Sequence, residues 1–274
     1  MTEKTATASL EAPPAWLPAV PRIVTLSAAR LGLAAAVLAV WQFGVEIGWL
    51  DPAFISSPEA IWKFLRDFVG SGDIWHHLWV TLQATLLGFI IGSAAGIAAG
   101  LVLASVRWLN ELLDPFLTIL NSLPRVALAP LFLLWFGLGG ASKVALAVSL
   151  VFFILLINTR AGVRNVEADI VTVSRLLGGG GWRLFLKVIL PAAVPSIAAG
   201  LHLAVIYSLL GVVVGEMIAA EAGLGQRIAF YSGQFNTAGV LGVLAVLALI
   251  AAAMNTATVL LERRLLRWQD RGRL

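Results

Sequence analysis

The stretch TLQATLLGFIIGSAAGIAAGLVLASV at residues 81–106 contains no charged side chain. About 20 apolar residues in helical conformation cross the hydrocarbon core of a bilayer, so this stretch predicts a transmembrane helix. Of the 274 residues, 59% are hydrophobic and 12% are charged, whereas soluble domains carry about 25% charged residues. The composition therefore excludes an ordinary soluble domain and indicates an all-α integral membrane protein.

Other apolar runs accompany this span and together predict a bundle of six transmembrane helices. The six spans are expected at about 25–48, 81–106, 115–137, 144–159, 191–217 and 238–261. The third is interrupted by Pro124, Arg125 and Pro130. The spans form one transmembrane domain at 23–267, between expected tails at 1–22 (disordered) and 268–274. No internal repeat is visible, which disfavours the inverted-repeat plan of many secondary transporters.

The basic residues are concentrated in the segments that face one side of the predicted bundle. They are Lys4, Arg22, Arg107, Arg160, Arg164, Arg175, Arg183, Lys187 and the arginine-rich segment 263–273. Cytoplasmic loops carry an excess of Lys and Arg, so this side is expected to be cytoplasmic, with both termini on it. The net charge of +4 therefore reflects membrane topology, and no nucleic-acid partner is expected.

The second span carries a glycine at every fourth position. These glycines are Gly88, Gly92, Gly96 and Gly100. On a helix they form one bare stripe that allows another backbone to approach closely. Dense packing and a sliding surface for a conformational change both fit the pattern, and both predict a tight bundle.

A loop with helical periodicity lies between the fourth and fifth spans, at residues 160–190. Apolar residues recur at helical spacing before the glycine run GGGG at 178–181, and WRLFLKVI at 182–189 predicts a second short helix. We therefore expect a helix, a turn and a helix on the cytoplasmic surface. From the spacing alone, a mobile linker, a lipid-binding segment and a docking segment for a partner protein all stay open.

This loop resembles the coupling loop of binding-protein-dependent ABC importer permeases. The family pattern is Glu-Ala-Ala, three residues, Gly, nine residues, Ile, one residue, Leu-Pro. Anchored on Leu-Pro at 190–191, it places the glycine at Gly178 and the isoleucine at Val188. The Glu-Ala-Ala falls on 172–174, where this chain departs from the family with Thr-Val-Ser. The residues thereby implied in coupling to an ATPase are Thr172, Val173, Ser174, Gly178, Arg183, Val188, Leu190 and Pro191.

Further stretches resemble the nitrate, sulfonate and taurine branch of that family. They are SPEAIWKFL, LLDPFLTILNSLPRVALAPLFLLWFGLGGASK, NTRAGVRNV, GVVVGEMIAAEAGLGQRI and LLERRLLRW. The resemblance implies a type I ABC importer fold in a bacterial inner membrane. It also implies a homodimer, two cytoplasmic ATPase subunits and a periplasmic solute-binding protein. ATP and Mg are expected in the ATPase, because this chain contains no G-x-x-x-x-G-K-[ST] phosphate loop. We expect a transport subunit without a cofactor of its own, and not an enzyme.

Ionisable residues at membrane depth are costly and therefore mark candidate sites on a translocation path. Arg125 would favour an anion if it lines the path, whereas it could also snorkel to the cytoplasmic face or pair with a carboxylate. Asn121 and Ser122 lie close enough in sequence to add hydrogen bonds. Glu216 lies near the outer end of the fifth span, where the resemblance implies the external gate; the alternative is an interfacial carboxylate.

Two other function classes stay open at this point. A stand-alone secondary transporter or channel needs a charged relay or a polar pore lining, and the spans hold few such residues. A membrane enzyme needs clustered His, Asp or Glu, and the adjacent His76 and His77 point in different directions on a helix, so no metal site is expected. Within the family, sulfonates, taurine, nitrate and pyrimidine precursors of thiamine all remain candidate substrates.

Overall fold

A computed structural model describes residues 22–218 and 220–265, and the regular structure within these ranges is helical. The helices are α1 (Arg22–Glu46), α2 (Pro52–Ile55), α3 (Pro58–Gly70), α4 (Asp73–Ser105), α5 (Arg107–Ser122), α6 (Ala129–Phe136), α7 (Gly140–Arg164), α8 (Ala168–Leu176), α9 (Gly181–Leu184), α10 (Leu190–Ile218), α11 (Leu224–Gly233) and α12 (Thr237–Leu265). A 3₁₀ turn at Arg125–Leu128 precedes α6, and a π turn at Phe185–Ile189 joins α9 to α10. Apart from Arg22, which begins α1, the tails predicted at 1–22 and 268–274 lie outside the described residues.

Within the described ranges, five helices are long and apolar enough to cross a membrane. A sixth crossing results if α5 and the segment Arg125–Phe136 count as one span, since the two meet at an 81° bend. The bend falls at Pro124, whose ring disfavours helical geometry for the residue before it, and Leu123 is accordingly extended with ψ 135°. The helical membrane bundle predicted from composition is therefore observed, with its third span broken at the predicted proline.

The centre of the bundle is a layer in which α4 packs along α7 in parallel. The four glycines of α4 meet Ala147, Val151, Leu155 and Thr159 of α7 in order. A Cβ added at Gly96 would lie 2.5 Å from the carbonyl oxygen of Phe152 and 2.9 Å from Leu155 Cβ. The stripe predicted from sequence thus brings two backbones together at a distance that excludes any side chain.

Helix α10 packs antiparallel against α7, and glycines again allow the two backbones to approach closely. Gly211 meets Ala147 and Leu150, Gly200 meets Asn158, and Gly162 of α7 meets Ser196 of α10. The side chains between the helices are fully buried at Val151, Leu155 and Ala204. The three helices α4, α7 and α10 therefore form a close-packed unit whose relative positions are fixed by main-chain contact.

Replacing Gly96 by leucine is expected to prevent the α4–α7 contact, because the new side chain would overlap a carbonyl oxygen of α7. Overpacking of this kind costs roughly 1–3 kcal/mol, and more where backbone must move. Thermal unfolding of the detergent-solubilised protein, followed by size-exclusion chromatography, measures the loss. The matched control is Gly32→Leu in α1, where an added Cβ meets nothing within 4 Å; equal behaviour of the two variants would contradict this packing.

Candidate functional site

The loop between α7 and α10 folds into a compact helical hairpin, which we call the foot (residues 168–189). Helix α8 ends where the N–H of Gly178 donates to Arg175 O at 3.0 Å and that of Gly179 donates to Ser174 O at 2.8 Å. This double closure is a Schellman motif, and it needs a left-handed residue at the position of Gly178, whose φ is +84°. A Cβ at Gly179 would lie 2.6 Å from Ser174 O, so the turn requires both glycines.

The second half of the foot is continuous with the fifth span. Helix α9, the π turn and α10 form one uninterrupted apolar helix, Gly181–Ile218, of 38 residues. In the π turn the N–H of Leu190 donates to Phe185 O, one residue further back than in an α-helix. The wider turn lies directly before Pro191, which has no N–H and whose ring crowds an ordinary helical turn. A displacement of the foot therefore acts directly on α10.

The foot presents large apolar side chains without cover from its own chain. The exposed fractions are 82% for Leu176, 83% for Leu177 and 70% for Trp182, while Leu184 is buried against the bundle. Ile170 and Val173, on the apolar face predicted for α8, are exposed as well. Such a patch on a polar end of the molecule marks a surface that binds another protein or a membrane.

The bend between α5 and α6 holds the candidate path residues Asn121, Ser122 and Arg125. The guanidinium of Arg125 donates to Asn121 Oδ1 at 2.8 Å and lies 4.1 Å from the centre of the Phe153 ring on α7. In the described part of the chain no carboxylate pairs with it within 4.0 Å. Ser122 donates to Thr118 O in its own helix at 2.9 Å. The structure thus brings Asn121 and Arg125 together, whereas the hydroxyl of Ser122 forms its hydrogen bond within its own helix.

Glu216 lies in a buried polar cluster at the end of the bundle opposite the foot, and only 1% of its surface is exposed. The Thr81 hydroxyl of α4 shares its one proton between the two carboxylate oxygens, which lie 3.0 and 2.9 Å from Oγ1. The N–H of Gly225 donates to Oε2 at 2.9 Å, and the ammonium of Lys143 on α7 lies 4.0 Å from Oε1. Four elements of the fold therefore meet at one carboxylate.

The segment 220–225, which we call the outer loop and which includes the first two residues of α11, packs onto this cluster. Leu224 N–H donates to Thr81 Oγ1 at 2.8 Å, and the Lys143 ammonium donates to Ala222 O at 2.9 Å. Gly223 has φ +129°, and a Cβ there would overlap the carboxyl group of Glu216. Glu216 was predicted from sequence as a candidate residue, whereas its partners Thr81 and Lys143 were not. The available signals were a lone lysine in an apolar run and the Gly-Leu-Gly at 223–225.

Comparison with protein families decides what kind of molecule carries these features. Residues 92–269 match the family described as "Binding-protein-dependent transport system inner membrane component". The chain belongs to these binding-protein-dependent transport permeases. The matched range contains the glycine stripe from Gly92 onward, the bend, the foot and the outer loop, so each of these is part of the permease unit.

The permease is similar over most of its length to other bacterial permeases. It is 36% identical to the protein described as "Putative aliphatic sulfonates transport permease protein SsuC" of Escherichia coli K12, over 86% of this chain and 90% of that protein. It is also 36% identical to the riboflavin transport system permease protein RibX of Chloroflexus aurantiacus, over 85% and 87%. A chain in inward-facing structures of the MetNI methionine ABC transporter superposes with a TM-score of 0.62. That match has 18% identity and covers 70% of this chain and 97% of that chain. These matches confirm an ABC transporter permease with the type I importer fold.

Proposed function

We propose that this permease is the membrane subunit of an ABC importer that moves a small anionic solute of the aliphatic sulfonate, taurine or nitrate class. A periplasmic binding protein delivers the solute, and two cytoplasmic ATPase subunits supply the energy. A second copy of the chain completes the path. The observation that carries the proposal is the foot, with its uncovered apolar face and its helical continuation into α10.

The foot suits a protein partner better than a lipid surface. Its apolar residues Leu176, Leu177 and Trp182 are exposed, and the cations Arg175 and Arg183 are interspersed among them. An amphipathic turn of this size can bind in a groove on a partner protein. Because the foot is continuous with α10, its movement is transmitted into the membrane. We therefore assign this surface to the ATPase subunit. Thr172 and Ser174, which stand in place of the family's glutamate and second alanine, donate to carbonyl oxygens of their own helix.

The distribution of charge supports a cytoplasmic foot and cytoplasmic termini. The described cations at the foot end are Arg107, Arg160, Arg164, Arg175, Arg183, Lys187, Arg263 and Arg264. The described cations at the opposite end are fewer: Lys63, Arg66, Lys143 and Arg227. The positive-inside rule then assigns the foot to the cytoplasm and the outer loop to the periplasm.

An apolar face on α5 and α6 supports the assignment of a second copy. Phe116 and Ile119 of α5, with Leu134 and Trp135 of α6, are exposed in the single chain. The bend that carries Arg125 lies between these two helices. A second copy placed on this face would bring two Arg125 side chains towards a shared path.

Arg125 supports an anionic solute. Its guanidinium is held by Asn121 and Phe153, and its charge is left without a carboxylate in the described residues. Arg offers several donors in a planar arrangement that matches sulfonate, nitrate and carboxylate groups. The finer choice among these anions is assigned to the binding protein.

A heteroaromatic solute is the second candidate, because RibX is as similar to this chain as SsuC is. A pyrimidine precursor of thiamine belongs to this class. The ligand that the cognate binding protein retains on purification distinguishes the two candidates. A small sulfonate, taurine or nitrate supports the first, and an uncharged heteroaromatic ring supports the second.

Reconstitution in proteoliposomes tests the proposed function directly. We expect uptake only when the permease, the cognate ATPase, ATP and the substrate-loaded binding protein are all present. Omitting the ATPase or the binding protein should reduce uptake to the level of empty vesicles. Uptake by the permease alone, driven by an ion gradient or by the substrate gradient, would instead identify a stand-alone secondary transporter or channel.

A further inference from the structure

One helix connects the foot to the buried carboxylate at the other end of the bundle. The helix Gly181–Ile218 has 38 residues, which corresponds to about 57 Å at a rise of 1.5 Å per residue. The foot lies at its first residues and Glu216 at its last turn. Pro195 removes one main-chain hydrogen bond from this helix, but the helix runs without a break from the foot to Glu216, so movement of the foot can reach that residue.

The contacts of Glu216 make the outer loop and the spanning helices depend on one another. Its carboxylate accepts from Thr81 of α4 and from Gly225 of the outer loop, with Lys143 of α7 beside it. Charged groups are tolerated at such burial only when they are paired and hydrogen-bonded. Lifting the outer loop would remove a donor from Glu216 and leave the N–H of Leu224 without the Thr81 hydroxyl. The loop cannot open by itself at low cost.

His77 adds a weaker contact to the same loop. Its Nδ1 accepts from Gly223 N–H at 3.0 Å, and its Nε2 faces the Nε–H of Arg227 at 2.9 Å. A neutral imidazole carries a proton on one of its nitrogens, so it can accept only one of these two donors. The Glu216–Thr81 pair therefore holds the outer loop more firmly than His77 does, because the His77 contact depends on which ring nitrogen carries the proton.

We propose that Glu216 is a positioning residue for the transport cycle. It holds the outer loop across the outer ends of α4, α7 and α10, so that these ends and the loop move together when the foot is displaced. The inference rests on the proposed function, because it assigns the outer loop to the path by which a docked binding protein influences ATP hydrolysis. In this role Glu216 acts through the outer loop and not on the solute itself.

The test compares Glu216→Gln, Lys143→Met and the double variant, with Asp67→Asn in α3 as the matched control. Asp67 is an exposed carboxylate at the same end of the bundle, outside the outer loop. The permease with its cognate ATPase is placed in lipid nanodiscs. Three quantities are measured: hydrogen exchange at 220–227, thermal unfolding, and ATP hydrolysis with and without substrate-loaded binding protein.

Glu216→Gln is expected to raise exchange at 220–227 roughly ten- to hundredfold, which corresponds to the loss of one charge-assisted hydrogen bond. Stimulation of ATP hydrolysis by the loaded binding protein should be lost while basal hydrolysis persists. In the double variant no charge is left unpaired, so thermal stability should recover towards the wild-type value. Stimulation should stay low, because neither side chain then holds the loop. If the role of Glu216 were purely structural, the double variant would recover both thermal stability and stimulation of ATP hydrolysis.

Thr81→Val is the milder variant if Glu216→Gln fails to fold, because it removes only the hydroxyl that joins Leu224 to Glu216. Unchanged exchange at 220–227, or normal stimulation in a variant with raised exchange, would overturn the inference while leaving the proposed function standing. A wild-type complex whose ATP hydrolysis ignores the loaded binding protein would overturn the proposed function and the transport role of Glu216 together.

Discussion

Replacing Gly178 by valine is expected to abolish uptake while the ATPase subunits continue to hydrolyse ATP. Gly178 has φ +84° at the end of α8, and a β-branched residue held in that region costs about 1–3 kcal/mol. Relieving this strain breaks the bonds from Gly178 and Gly179 to Arg175 and Ser174, so the foot loses its shape. Uptake and ATP hydrolysis measured in the same proteoliposomes should show uptake reduced at least tenfold and hydrolysis largely retained.

Gly180→Val provides the matched control two residues away. Gly180 has φ −135° and ψ 162°, a conformation open to any residue, and an added Cβ there meets nothing within 4 Å. It should therefore transport at nearly the wild-type rate. Normal coupling in the Gly178 variant, or an equal defect in both, would mean that the geometry of this turn does not transmit the work of the ATPase.

Replacing Arg125 by glutamine is expected to reduce uptake of an anionic solute by roughly thirtyfold or more. Removing one member of a desolvated, hydrogen-bonded charge pair costs about 2 kcal/mol or more, and Gln keeps some hydrogen-bonding capacity without the charge. Assembly with the ATPase should be unaffected, because the bend and the foot are formed by different elements. Initial rates of uptake against solute concentration measure the effect.

Two further variants show whether charge or shape is responsible. Arg125→Lys keeps the charge but loses the planar contact with Phe153 and Asn121, so it should recover part of the uptake. Arg30→Gln removes an exposed cation from α1 and should leave uptake unchanged. Wild-type uptake by Arg125→Gln would remove the anion assignment and favour the heteroaromatic class.

The sequence by itself determined the features that repeat locally along the chain. Long apolar runs fix membrane helices because a bilayer leaves the backbone few alternatives to internal hydrogen bonds. A glycine at every fourth residue fixes one bare helix face, which the α4–α7 contact then uses. The amphipathic spacing around Gly178 predicted a helix, a turn and a helix, because a left-handed turn has a strong residue preference.

Only the tertiary structure decided which residues far apart in the chain pair with one another. The sequence offered no way to tell whether Glu216 lines a path or lies at the interface. Its partners Thr81 and Lys143 come from other helices, and such pairing leaves no periodic signal. The continuity of the foot with α10 was equally hidden, because Leu-Pro at 190–191 is typical of a helix start. The π turn lets the helix continue past this Leu-Pro pair. Local patterns report the conformation of a segment, whereas the burial and pairing of a charge depend on what the rest of the chain places around it.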